Sequence, residues 1–125
     1  MLRILMVTTR REIVRSFIEG LSSDPEVCLD LVSSGAEALH SVGAEFPHLV
    51  IVDSGYKETD SLDLVRELIT VNAMVNTAVI SSLPDTEFHD RSEGLGILCR
   101  LPPQPDSNDS EALLQKLRAV IGPVG

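Results

Sequence analysis

Aromatic residues are scarce in this chain, with no Trp, one Tyr and three Phe among 125 residues. Any core must therefore be aliphatic, and a surface that stacks nucleic-acid bases on aromatic rings is excluded. Basic residues are few as well. Ten Lys and Arg stand against 19 Asp and Glu, a formal net charge of −9, which opposes binding to nucleic acid or to an anionic membrane. No apolar run is long enough to span a bilayer, and the start lacks the basic, apolar and small-residue succession of a signal peptide. A cytoplasmic domain is the default expectation. The two cysteines, Cys28 and Cys99, lie in apolar strand-like stretches without CxxC spacing. They read as buried thiols, not as a disulfide or a metal pair. His40, His48 and His89 are scattered and form no ligand motif. A Gly-rich phosphate loop of the Walker or dinucleotide type is also missing.

What the chain does have is hydrophobic periodicity. Hydrophobic residues make up 43%, enough for one domain with a real core and too many for disorder. Leu2–Val7 reads as a buried strand. From about Arg11 the period changes, and Ile13, Val14, Phe17, Ile18 and Leu21 share one helical face until Pro25 stops it. Val27, Leu29 and Leu31 alternate with polar residues, the mark of a short edge strand. Ser34 can cap a second helix with Ala36, Leu39 and Val42 inward, ended by Gly43 and Pro47. Residues 48–53 form a central strand, and Asp60 or Ser61 opens a third helix burying Leu62, Val65, Leu68 and Ile69. Residues 77–82 make a fourth strand and 96–101 a fifth, closed by Pro102 and Pro103. Between them, 84–94 has a helix start but little apolar residue beyond Phe88. A last helix begins near Asp109 or Ser110 and buries Leu113, Leu114, Leu117, Val120 and Ile121. Strands alternating with helices imply a parallel α/β sheet with helices on both faces.

The central strand carries the chemistry. His48-Leu49-Val50-Ile51-Val52-Asp53 is an unbroken apolar run ending in a carboxylate, with Gly55 beside it for a tight turn. Ligands and chemistry gather at the carboxyl ends of strands in open α/β sheets. Asp53 is therefore either a functional carboxylate at the sheet rim or a cap for the following loop.

With these elements in place, the whole chain resembles the receiver domain of two-component response regulators. The resemblance implies a flavodoxin-like, doubly wound five-stranded parallel sheet of order 2-1-3-4-5, filled by one receiver-like domain over residues 1–125 (core about 2–121) with no output domain. It places Asp53 at the phosphoacceptor position. Asp60-Ser61-Leu62 stands where the family often has Asp-Gly-Leu, and Pro102 matches the proline of its Lys-Pro pair. The Gly55 carbonyl joins Asp53 as a metal ligand by the same resemblance.

The departures lie at the site. The acidic pair that holds Mg²⁺ in the family reads Thr8 and Thr9, its lysine reads Leu101, and its Ser/Thr after the fourth strand is Ser82 or Ser81. The switching aromatic aligns with Leu98, and Tyr56-Lys57 replaces Met-Pro. Phosphoryl transfer depends on neutralising charge on the equatorial oxygens, and Mg²⁺ needs carboxylate oxygen. Any Mg²⁺ site at Asp53 and Gly55 is thus weak, no cofactor is called for, and catalysis is not expected. Arg10, Arg11, Lys57 and Arg100 read as a solvated face, with Arg100 pointing away from Leu101 by strand alternation.

The expected function is a degenerate receiver acting through protein–protein contact. Its partners by resemblance are a histidine kinase or an output domain, with weak homodimerisation through the last strands and helices. The alternatives are a working receiver phosphorylated on Asp53 and a small α/β hydrolase using Asp53 as nucleophile. Haloacid-dehalogenase-type phosphatases need a second Asp two residues on, where this chain has Gly55.

Overall fold

The computed structural model describes residues 2–44, 47–53 and 58–121. Five strands and five helices alternate: β1 (Leu2–Val7), α1 (Arg15–Ser22), β2 (Val27–Val32), α2 (Gly35–Ala44), β3 (Leu49–Asp53), α3 (Glu58–Val71), β4 (Asn76–Ile80), α4 (Asp85–Ser92), β5 (Cys99–Leu101) and α5 (Ser107–Ile121). All strand pairs are parallel, in the order β2-β1-β3-β4-β5. The parallel α/β sheet expected from the alternation, in the flavodoxin-like order that the receiver resemblance implies, is the architecture the chain adopts.

Strand alternation sorts the side chains into two cores. Leu2, Ile4 and Met6 of β1, Leu49 and Ile51 of β3, Ile80 of β4 and Leu101 of β5 pack under α1 and α5 against Phe17, Leu21, Leu113 and Leu117. Leu5, Val7, Val50, Val52 and Val79 face the other way, under α2 and α3 with Ala38, Val42, Leu62, Val65 and Leu68. Every residue of β3 is buried, as a central strand covered on both faces requires.

Several boundaries differ from the sequence reading. Residues 11–14 form a turn before α1, so Ile13 falls off the helical face and is 49% exposed. In α2 the buried alanine is Ala38, not Ala36. The expected cap is present: the Ser34 hydroxyl accepts the Glu37 N–H at 3.2 Å. Val120 is 58% exposed on the outer side of α5. Cys28 is exposed and Cys99 half-buried, both free. Cys28 lies on the edge strand β2, which pairs only with β1, so the buried reading of that thiol fails. The side chain of Asp60, and Lys57, lie outside the described residues.

Two close contacts hold the frame. Helices α1 and α5 touch at Gly20, where a Cβ would stand 2.9 Å from the Cα of Ser107 and collide with the Ser110 hydroxyl. At the opposite end of the sheet, His48 Nδ1 accepts the Arg3 N–H at 2.9 Å while the His48 N–H donates to the Arg3 carbonyl at 2.8 Å. The Asn76 side-chain amide adds a bond to the His48 carbonyl at 3.1 Å, joining β1, β3 and β4. Desolvation, then the Arg3 charge, holds the His48 pKa below its ordinary 6.5.

Two predictions follow from these contacts. Gly20→Ala forces backbone apart at the α1–α5 contact and is expected to cost about 1–3 kcal/mol, read from urea unfolding. Desolvation and the Arg3 charge favour neutral His48, whose Nδ1 accepts the Arg3 N–H, so its contribution is complete above pH 6.5 and is lost as pH falls through its lowered native value. His48→Asn keeps an acceptor but does not titrate. The loss of stability on acidification just below pH 6.5 is expected to be smaller in that variant, measured as the urea midpoint against pH.

Candidate functional site

The site forms where four strands end. Register pairs Val52 with Val7 and Asp53 with Ile80, and Ile80 with Leu101. One step past Val7, Thr8 falls level with Asp53, so Thr8, Asp53, Ile80 and Leu101 form a row across the sheet. Alternation turns this row toward the α1–α5 side, and Ile80 and Leu101 indeed belong to that core.

Asp53 is 1% exposed and Thr8 fully buried. A carboxylate so placed must be paired or hydrogen-bonded, and here it is both. The Thr8 hydroxyl donates to Oδ2 at 2.7 Å. Arg10 grips the carboxylate with two donors, Nε to Oδ2 at 3.0 Å and Nη2 to Oδ1 at 2.7 Å. This forked geometry is the strong form of an arginine–carboxylate pair. Thr8 also accepts the Arg10 N–H at 3.0 Å, which turns the chain so that Arg10 reaches back over β3. The same Nη2 continues to the Pro103 carbonyl at 3.0 Å. Arg10 thus lies as a strap from the end of β1, across Asp53, to the loop before α5.

The sequence positions fall out as follows. Asp53 is at the rim, as expected. Thr8 is its hydrogen-bond partner, whereas Thr9 is exposed beside it. Gly55 lies outside the described residues. Leu101 is 3% exposed and fills core space in the row where the family's lysine would stand. Pro102 is exposed. Of the two serines after β4, Ser82 is exposed and Ser81 is 2% exposed, its hydroxyl accepting the Leu83 N–H at 3.1 Å.

The solvated-face reading fails for two of the arginines. Arg10, with only 19% of its side chain exposed, is the main partner of Asp53. The signal for it was its place, two residues after Thr8, but charge statistics alone put it in solvent. Arg100 faces away from Leu101, as alternation required, but it too is engaged. Its guanidinium lies 4.8 Å from the Phe88 ring centroid and bonds Asp85 and the Leu83 carbonyl. That contact pins α4, whose one buried residue is Phe88. Arg11 is exposed as expected.

Among the described residues, the groups that bond Asp53 are Thr8 and Arg10, and neither adds negative charge for Mg²⁺. Asp53 already carries a guanidinium, and Thr8 and Thr9 bring no charge. Among the described residues, no group of three or more His, Cys, Asp or Glu could hold a metal ion.

Comparison with known proteins supports the fold. A response regulator from Thermotoga maritima matches with a TM-score of 0.79 and 20% identity over 93% of this chain and 97% of that one. A CheY-like response regulator receiver domain protein from Methanospirillum hungatei matches with 0.79 and 18% over 95% of each. A CheY-like protein, tadZ, from Pseudomonas aeruginosa matches with 0.74 and 13% over 100% of this chain and 97% of that one. At these identities the likeness is one of fold. No protein-family model and no curated protein matches the chain.

The pair makes an asymmetric prediction. Arg10→Gln strands a buried carboxylate and is expected to cost about 3 kcal/mol. Asp53→Asn is expected to cost less, because Arg10 can turn outward to water. In the double variant the two losses are not additive. A urea-unfolding double-mutant cycle measures the coupling.

Proposed function

We propose that this receiver-fold chain is a signalling module that works by protein–protein contact, with Asp53 held by its own Arg10 instead of being offered to Mg²⁺ and a phosphoryl donor. The observation that carries this reading is the forked Arg10–Asp53 pair on a fully buried carboxylate. Attack by Asp53 on a donor phosphorus requires a free carboxylate oxygen. Both oxygens accept hydrogen bonds here, one from Arg10 Nη2 and the other from Arg10 Nε and the Thr8 hydroxyl. The charge neutralisation that a phosphoryl group would need falls to a metal and a lysine in the family. This chain has neutral Thr8 and Thr9 and buried Leu101 at those positions.

The pair fixes a shape as well as closing a site. Arg10 ties the end of β1 to β3 and to Pro103, while Arg100 ties β5 to the β4–α4 loop and α4. A module braced in this way presents one surface without a chemical trigger. Protein partners, among them a kinase or an output domain, are the class this surface serves.

A second reading, a working receiver phosphorylated on Asp53 by a histidine kinase, draws on one observation. Of Ser82 and Ser81, the two serines that the resemblance offers for the family's Ser/Thr, Ser81 is buried just past the end of β4. The two readings separate in backbone amide NMR with Mg²⁺ and then beryllofluoride, which mimics a phosphoryl group on aspartate. The expected result is no Asp53-centred shift in the wild type at millimolar ligand. Shifts at Asp53, Thr8 and Ser81 that vanish in Asp53→Asn overturn the first reading in favour of the second.

A further inference from the structure

An open crevice of about 620 Å³ lies beside the Asp53 pair, at the carboxyl ends of β1 and β2. Its floor is closed by Thr8, whose N–H donates to the Val32 carbonyl at 3.0 Å. Thr9, Arg10, Arg11, Glu12, Ile13 and Ser33 form the walls. We propose that this crevice binds a small phosphorylated molecule through Arg11, Thr9 and Ser33, without covalent chemistry.

Three observations converge on that ligand class. Place comes first: doubly wound sheets bind ligands outside the carboxyl ends of their strands at the switch point, here between β1 and β3, and the crevice adjoins that point through Thr8 and Arg10, which it shares with the Asp53 pair. Charge is the second. Acidic residues outnumber basic ones 19 to 10 in this chain, yet the crevice is locally neutral, its two arginines balanced by Glu12 and the adjoining Asp53. Arg10 is matched by Asp53, which leaves Arg11 as the working cation. Arg15, Arg66, Arg100 and Arg118 each have an ion pair, whereas Arg11 has none among the described residues. The Thr9 and Ser33 hydroxyls likewise have no hydrogen-bond partner there. A guanidinium and two hydroxyl donors around one crevice match a phosphate, whose oxygens accept from several directions.

Size and polarity are the third. The volume is in the range of small-molecule sites and exceeds what inorganic phosphate fills. Ile13, 49% exposed, gives the wall an apolar contact for the body that carries the phosphate. Glu12 sets the limit: it repels a second anionic group, so a monophosphate is favoured over a polyphosphate.

The test is amide NMR titration of the intact chain with inorganic phosphate, adenosine monophosphate and adenosine triphosphate, each against chloride at matched ionic strength. Saturable shifts at Thr9, Arg11, Ile13 and Ser33 are expected, with the monophosphate nucleotide binding more tightly than inorganic phosphate. Arg11→Gln, an exposed change, is expected to weaken binding at least about fivefold, the scale of losing one charged hydrogen-bonded contact. Asp53→Asn removes the phosphoacceptor position and frees Arg10, which lines the crevice, so binding at least as tight as in the wild type is expected there, and loss of binding overturns the separation of this site from phosphoryl chemistry at Asp53. Shifts no larger than those from chloride overturn the proposal, and so does undiminished binding in Arg11→Gln. Nucleotide binding no tighter than that of phosphate overturns the role given to Ile13, and tighter binding of the triphosphate overturns that of Glu12.

Discussion

A carboxylate with 1% exposure at the end of a central strand is the constraint on which the site depends. Removing an ionised carboxylate from water costs several kcal/mol unless positive charge and hydrogen bonds replace the solvent. In a receiver of the ordinary kind a metal and a lysine share that task. Here Arg10 takes up that task at both carboxylate oxygens, with the Thr8 hydroxyl donating to Oδ2. The consequences spread outward from this pair. The β1–α1 segment folds back over β3, the β5–α5 loop is held through the Pro103 carbonyl, and position 101 is left free to be a core leucine.

The fold was legible because it depends on patterns that survive sequence divergence. Strand runs such as 2–7 and 48–53, and the helical spacing of Phe17 and Leu21, are read by period alone. The breaks came at ends. Residues 11–14 keep apolar spacing but form a turn, which strands Ile13. The fourth strand stops at Ile80, not Ser82: the Ser81 N–H makes the last rung of the parallel ladder, to the Leu101 carbonyl, and β5 itself ends there, before Pro102. Alternation was dependable even at the fifth strand, where it separated Arg100 from Leu101 correctly.

The site was only half legible. Its carboxylate, the loss of the acidic pair and the loss of the lysine are statements about residue type at known positions, and the sequence carries them openly. The replacement of those losses is a statement about three-dimensional reach. Arginine spans the gap from the end of β1 to β3 only because the Thr8 hydroxyl accepts the Arg10 N–H and turns the backbone. Counting surface charges treats Arg10 and Arg11 alike, although one is half-buried on Asp53 and the other faces solvent. Likewise, Ser81 and Ser82 are indistinguishable by type, and only burial separates them.

The Arg10 strap also bears on how such a site changes over generations. A sequence one substitution away from this one does not regain a metal site. An acid at position 8 would replace the hydroxyl that donates to Asp53 and set two carboxylates around one guanidinium. A lysine at position 101 would put a second cation into a row already neutralised and empty part of the aliphatic core. Both substitutions disturb a buried carboxylate that Arg10 already matches. The Arg10–Asp53 pair therefore sets which side chains positions 8 and 101 can take: a neutral donor at the one and an aliphatic side chain at the other.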